Sequence, residues 1–173
     1  MVRQPRASLG MSLGHLGMAI VVIGIAGTSF WNSEYQGIMA VGDKASIGGY
    51  DLTFKGVDGM IGPNYTAVKA TFDVSKEGTQ LKPLHPQARV YLTPPMPTTE
   101  AAILSSFKGD LFVVIGEANS EKYDTWAVRL YYKPLQSWLW AGVALMVLGG
   151  LISLSDRRFR MGNVKRGGKT NVA

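Results

Sequence analysis

Two histidines are the only imidazoles in this chain, and they stand in opposite settings. His15 interrupts the apolar run Leu9–Trp31, whose 23 residues hold no other ionisable group. An ionisable side chain in such a segment is costly to bury and needs a partner, so it marks a candidate functional site. The chemistry open to it is axial ligation of a haem iron or a proton relay. The alternative is a neutral ring bonded to a carbonyl of a neighbouring helix, with a packing role only. On a helix, Ser8, Ser12, Ala19 and Val22 share its face. These are small, smooth residues that would let a flat macrocycle or a second helix approach. His85 sits in Lys82-Pro-Leu-His-Pro-Gln87, a proline-rich stretch at a strand entrance, and reads as a surface or turn histidine. Two histidines on opposite sides of a membrane interface cannot build a multi-ligand metal site within one chain.

Other chemistry is thinly represented. Asp43, Asp51, Glu100 and Glu117 are scattered near turns, without the pairing that acid–base work needs. Arg89 and Arg129 fall on expected strands near Tyr91, Tyr131 and Tyr132. A propionate or a partner's acid could dock there, although solvated strand faces explain them as well. Asn64-Tyr65-Thr66 is a formal glycosylation sequon, but Gly62 and Pro63 make it a loop without invoking sugar. Glycine-rich phosphate loops, a serine nucleophile elbow and zinc-binding spacings do not occur. With no cysteine, disulfides, thiolate nucleophiles and cysteine-ligated zinc are excluded.

The elements that must position His15 follow from hydropathy. As a helix the first run would extend ~34 Å at about 1.5 Å per residue, enough for a bilayer core of about 30 Å. A second uncharged stretch, Leu135–Ser155, has 21 residues and can also span. Gly10 and Gly14 form a GxxxG pair, and Gly17, Gly24, Gly27, Gly142, Gly149 and Gly150 offer further close-packing sites. Spans so rich in small residues are expected to belong to a larger bundle. The flanks carry +2 before the first span and +5 after the second, against −1 between them. Short basic flanks stay in the cytoplasm, which predicts a periplasmic middle, and Trp31, Trp138 and Trp140 as an aromatic belt at the outer interface. The expected layout is a cytoplasmic basic segment 1–8, a transmembrane helix 9–31, a periplasmic β domain 32–134, a transmembrane helix 135–155 and a cytoplasmic basic tail 156–173. The pI near 9.6 is therefore a topology signal with lipid as the partner, and nucleic acid is not expected. A cleaved signal peptide fits the first run less well, because the run is long and carries a histidine.

The middle predicts strands at Tyr50–Lys55, Tyr65–Ser75, Arg89–Leu92, Asp110–Gly116 and Thr125–Tyr132. Gly48-Gly49, Gly62-Pro63-Asn64 and Lys76-Glu77-Gly78 are turns, and Ala118 to Asp124 a polar connection. Ala67, Ala70, Phe72 and Val74 are expected to point inward. Pro94-Pro95-Met96-Pro97 is expected to be a rigid extended connector, and Thr98–Ile103 is helical or extended. The fold class is thus an α+β membrane protein, two transmembrane helices flanking a mainly-β domain. That domain is a small, partly open barrel or a sandwich, the barrel being preferred.

Seven segments in order carry a resemblance: Leu13-Gly-His-Leu-Gly17, Gly62-Pro-Asn-Tyr-Thr-Ala67, Leu84-His-Pro-Gln-Ala-Arg-Val-Tyr91, Met96-Pro-Thr-Thr-Glu-Ala-Ala-Ile103, Asp110-Leu-Phe-Val-Val-Ile-Gly-Glu117, Trp126-Ala-Val-Arg-Leu-Tyr-Tyr-Lys-Pro134 and Ser155-Asp-Arg-Arg158. Over residues 9–160 the chain resembles the C-terminal part of the CcmF family of cytochrome c haem lyases, and its relative in nitrite reductase assembly. The resemblance implies a many-spanning inner-membrane protein that takes haem from a periplasmic haem chaperone and delivers it to the Cys-x-x-Cys-His motif of apocytochrome c. It implies His15 as an axial ligand of a resident b-type haem, the second ligand coming from a segment not present here. It also implies a transient substrate haem, and as partners the remainder of the lyase or its split subunits and a thiol-reducing protein. The family's tryptophan-rich segment, its periplasmic histidine pair and its other membrane histidine have no counterpart here, and Ala88 stands where members often carry Lys. His85 matches neither histidine of that pair. A fragment or one product of a split gene, inactive in ligation alone, is therefore expected. The rival expectation is a non-catalytic two-span anchor whose β domain recruits periplasmic partners. A weaker one is a haem chaperone using His85.

Overall fold

Leu52, Phe54, Leu111 and Leu130 are completely buried, and they come from strands that lie far apart in the sequence. The computed structural model describes residues 5–119 and 124–156. Arg3, the basic tail from Arg157 onward and most of the Ala118–Asp124 connection lie outside these. The order is α1 (Arg6–Phe30), β1 (Ser33–Ala40), β2 (Lys44–Ile47), β3 (Tyr50–Ile61), β4 (Tyr65–Lys76), β5 (Thr79–Gln80), β6 (Gln87–Leu92), β7 (Pro95–Glu100), β8 (Ala102–Ser106), β9 (Gly109–Ala118), β10 (Thr125–Pro134) and α2 (Gln136–Leu154). Contacts divide the chain into a helical unit, up to residue 25 and from residue 138, and a β unit between them.

The β unit is a sandwich of two antiparallel sheets, ordered β1-β10-β9-β8 and β2-β3-β4-β6-β7, with β5 paired to β4. Alternation explains the core. Tyr50, Leu52 and Phe54 of β3, Ala70, Phe72 and Val74 of β4, and Leu111, Val113 and Ile115 of β9 face inward, with Val128 and Leu130 of β10. Phe54 and Phe72 are cross-strand partners with ring centroids 5.0 Å apart. After Phe54 the register shifts at Gly56 (φ +129°), and the strict burial alternation of β3 ends there. Of the two expected forms, partly open barrel or sandwich, the hydrogen bonding in two separate ladders gives the sandwich. Chain continuity still closes both sides: three residues join β1 to β2, and only Ala101 separates β7 from β8.

The turn residues act where the sequence places them. Gly48 and Gly49 have φ of +58° and +79° and close the β2–β3 hairpin in two residues. Glu77 and Gly78, also at positive φ, close β4–β5. The Pro94–Pro97 connector is corrected. Pro94 lies in a turn after a cis Thr93–Pro94 bond, and Pro95 and Pro97 lie in β7. This works because β7 is an edge strand, where a missing N–H need cost no ladder bond. Thr98–Ile103 is extended throughout, apart from Ala101.

In the helical unit α1 and α2 pack antiparallel along glycines. A Cβ on Gly17 would lie 2.7 Å from the Gly142 carbonyl oxygen, and one on Gly149 would lie 2.6 Å from that of Gly10. Backbones therefore touch directly, which only glycine allows. The seam repeats every seven residues at Gly10, Gly17 and Gly24, with Gly24 against Leu139. Gly14 departs from the GxxxG expectation, since a Cβ there would meet nothing within 4 Å. Both helices are long and apolar enough to cross a membrane.

Candidate functional site

The glycine seam decides which side of α1 is left open, and His15 is on that side. Gly10, Gly17 and Gly24 are buried while His15, Ser12, Ala19 and Val22 are exposed. The ring borders an open groove of about 450 Å³ lined by Met11, Gly14, Met18, Met146, Gly149 and Gly150, among others. Substituting Cβ atoms at Gly14 or Gly150 would meet nothing within 4 Å, so the groove's floor is flat backbone. Three methionines supply soft, adaptable walls.

His15 Nδ1 is 2.8 Å from the carbonyl oxygen of Met11, one helical turn earlier. A carbonyl only accepts, so Nδ1 carries the proton and donates. In the neutral ring this leaves Nε2 with its lone pair. That arrangement is typical of histidines that ligate metals, where the second nitrogen is held by a backbone carbonyl and the ring orientation is set. The residues present fit one axial position of a haem: an oriented imidazole, and beside it a smooth floor without side chains. The expectation of a helix neighbour's carbonyl as the ring's partner is replaced by one from the same helix. The i, i+4 geometry of Met11 and His15 was available from spacing alone. Met146, Gly149 and Gly150 were not, because they come from α2.

The other candidates are not gathered here. His85 is exposed, and its Nδ1 lies 3.2 Å from Thr71 Oγ1 on β4. Arg89 is engaged within the β unit. Its Nη1 donates to Glu100 Oε1 at 2.7 Å, its Nε to Gln87 Oε1 at 2.9 Å, and its guanidinium stacks 4.6 Å from the Tyr65 ring. Partial burial opposes its charge, but the hydrogen bond with Tyr91 and the Glu100 carboxylate prevail and hold its pKa above the usual arginine value. Arg89 is thus engaged within the β unit through its Nε and Nη1. Arg129 is exposed on β10 opposite Gln36 of β1. Asp43 caps a turn by accepting the Ala40 N–H, and Asp51 accepts from Ser46. Among the described residues no three His, Cys, Asp or Glu side chains come together.

Residues 30–134 match the family model described as the CcmF C-terminal beta-sandwich. The chain is 42% identical over 161 residues to the cytochrome c-type biogenesis protein CycK of Bradyrhizobium diazoefficiens, covering 93% of this chain and 24% of that protein. It is 44% identical over 155 residues to the cytochrome c-type biogenesis protein CcmF of Haemophilus influenzae, covering 90% and 24%. Its fold matches the solved structure of the cytochrome c heme lyase CcmF with a TM-score of 0.74 at 22% identity, over 87% of this chain and 25% of that one. The chain therefore spans about a quarter of the length of the relatives it matches.

Proposed function

Since this chain belongs to the CcmF family of cytochrome c biogenesis proteins, we propose that it is the C-terminal portion of a cytochrome c haem lyase and contributes one axial ligand, His15, to a b-type haem in the membrane. The observation that carries this reading is the Nδ1 bond to the Met11 carbonyl, which holds the imidazole in the tautomer with a free Nε2. The second ligand comes from a chain segment not present here. A b haem held in part by His15 would supply one-electron redox chemistry there. The work of this chain's own residues is to hold the ring's orientation, to offer a glycine floor with room for a macrocycle, and to keep water away with apolar spans.

The topology we propose has both termini cytoplasmic, helices spanning residues 9–31 and 135–155 in the bacterial inner membrane, and residues 32–134 in the periplasm. It is supported by the basic flanks and by the two apolar helices. The partners are the rest of the lyase, a periplasmic haem chaperone that supplies transient substrate haem, apocytochrome c and its thiol-reducing protein. Ligation requires the whole assembly. The test is co-expression of this chain with the complementary portion of a relative, followed by optical spectroscopy of the purified complex. The b-type bands are expected in the wild type and lost in His15→Ala. Bands of unchanged intensity in His15→Ala would overturn the assignment.

A further inference from the structure

The β8–β9 hairpin ends in Phe107-Lys108, and Phe107 is 75% exposed. The carbonyls flanking this exposed ring indicate its place. The carbonyl of Lys108 accepts the Leu135 N–H at 3.1 Å, and the carbonyl of Ser106 accepts the Ser137 hydroxyl at 2.9 Å. Leu135 and Ser137 lie on either side of Gln136, where α2 begins. The tip is thus tied, one residue either side of Phe107, to the residues with which the chain enters its second apolar helix. The Tyr132 hydroxyl adds a third bond to Lys108 O at 3.3 Å. The same end of the β1-β10-β9-β8 sheet holds the start of β1 and, just before it, Phe30 and Trp31, which are 83% and 67% exposed.

We propose that this hairpin is a third membrane contact, in which Phe107 enters the interfacial layer of the bilayer and the Lys108 ammonium meets phospholipid phosphate. The inference rests on the reading of α2 as a span. If α2 crosses the bilayer, its first turn lies at the interface, and residues hydrogen-bonded to that turn share its depth. An aromatic ring with a neighbouring cation is the pairing favoured there. The occupant is the lipid surface itself; burial by another protein segment would be a different outcome.

The chain has no cysteine, so single nitroxide labels can be placed uniquely. The 173-residue chain would carry Phe107→Cys, Val41→Cys or Leu148→Cys in vesicles of phosphatidylethanolamine and phosphatidylglycerol. Collision rates with oxygen and with a water-soluble nickel chelate report depth. Val41, 65% exposed, follows the end of β1 remote from Ser33 and serves as the aqueous reference; Leu148, 53% exposed on α2, is the lipid reference. The oxygen-to-nickel ratio at 107 is expected to be severalfold above that at 41, and to fall when Lys108→Glu is added. A lipid-like 148 with an aqueous 107, or a 107 shielded from both reagents, would overturn the proposal alone. An aqueous 148 would overturn the span reading and the proposal with it.

Discussion

Asp156, just beyond α2, accepts the backbone N–H of Ala7 in the first turn of α1 at 3.0 Å. Only 8% of Asp156 is exposed. The first four N–H groups of a helix lack intrahelical partners and carry positive partial charge, so a carboxylate there is well placed. One helix is capped by a residue that follows the other. The ends farthest from the β unit in sequence are thereby joined, and the seam between Gly10 and Gly149 begins one turn further along.

Asp156→Ala is expected to cost about 1 kcal/mol, the usual worth of an N-terminal cap. Asp156→Asn should cost less, because it keeps an acceptor oxygen. Unfolding of the full chain in mild detergent, followed by helical circular dichroism, measures both. Equal stability of Asp156→Ala and wild type would deny the cap a structural role.

Glycines in α1 should divide sharply by position. Gly17→Leu is expected to separate the helices, since even a Cβ would lie 2.7 Å from the Gly142 carbonyl oxygen. Gly14→Leu meets open space and should leave the hairpin intact while filling the groove beside His15. In the assembled lyase, Gly14→Leu should therefore reduce b-type absorbance without reducing the amount of folded protein. Pulldown yield alongside the optical spectrum separates the two effects.

The β2–β3 hairpin makes a paired prediction. Gly48 has φ +58° and packs directly on the Tyr132 ring, so Gly48→Ala adds steric conflict to backbone strain. A loss of about 1–3 kcal/mol is expected. Gly49 has φ +79° but open space around it, and Gly49→Asn should be nearly neutral because asparagine tolerates that conformation. Urea unfolding monitored by tryptophan fluorescence would rank the variants; the reverse order would contradict the turn geometry.

Phe72→Ala removes the ring paired with Phe54 in a fully buried position. Such truncations typically cost 3–5 kcal/mol through lost burial and a residual cavity. A shift of the β unit's unfolding midpoint by that amount, with α-helical signal preserved, is the expected result.

Arg89 should show little pH sensitivity. Its folded pKa is raised above the ordinary arginine value, so its favourable interactions are fully present below that range and are lost only above the raised value. Between neutral and mildly alkaline pH it contributes no slope to stability. Arg89→Lys is still expected to lower the unfolding midpoint, because lysine cannot hold Gln87 and Glu100 while stacking on Tyr65. An unchanged midpoint would show the cluster to be dispensable.

Features governed by local chemistry are legible in the sequence alone. Two apolar runs, the alternation in Tyr50–Phe54 and Phe72–Val74, and the Gly48-Gly49 and Glu77-Gly78 turns need only a few neighbouring residues to be recognised. The buried set Ala67, Ala70, Phe72 and Val74 was identified in full. The strands that escape the sequence, β1, β2, β5 and β8, are short or mixed in polarity and exist because they pair with β10, β3, β4 and β9. Pro95 and Pro97 misled for the same reason, since strand edge or strand centre is a property of the partner, not of the segment. Whether two facing ladders make a barrel or a sandwich likewise depends on which strands hydrogen-bond. At the candidate site, His15 and its helical face were evident from spacing. The open side of α1 was not, because it depends on Gly10 and Gly17 meeting Gly149 and Gly142 more than a hundred residues away. Periodicity states which residues share a face; only the packing of distant segments determines which face remains to do chemistry.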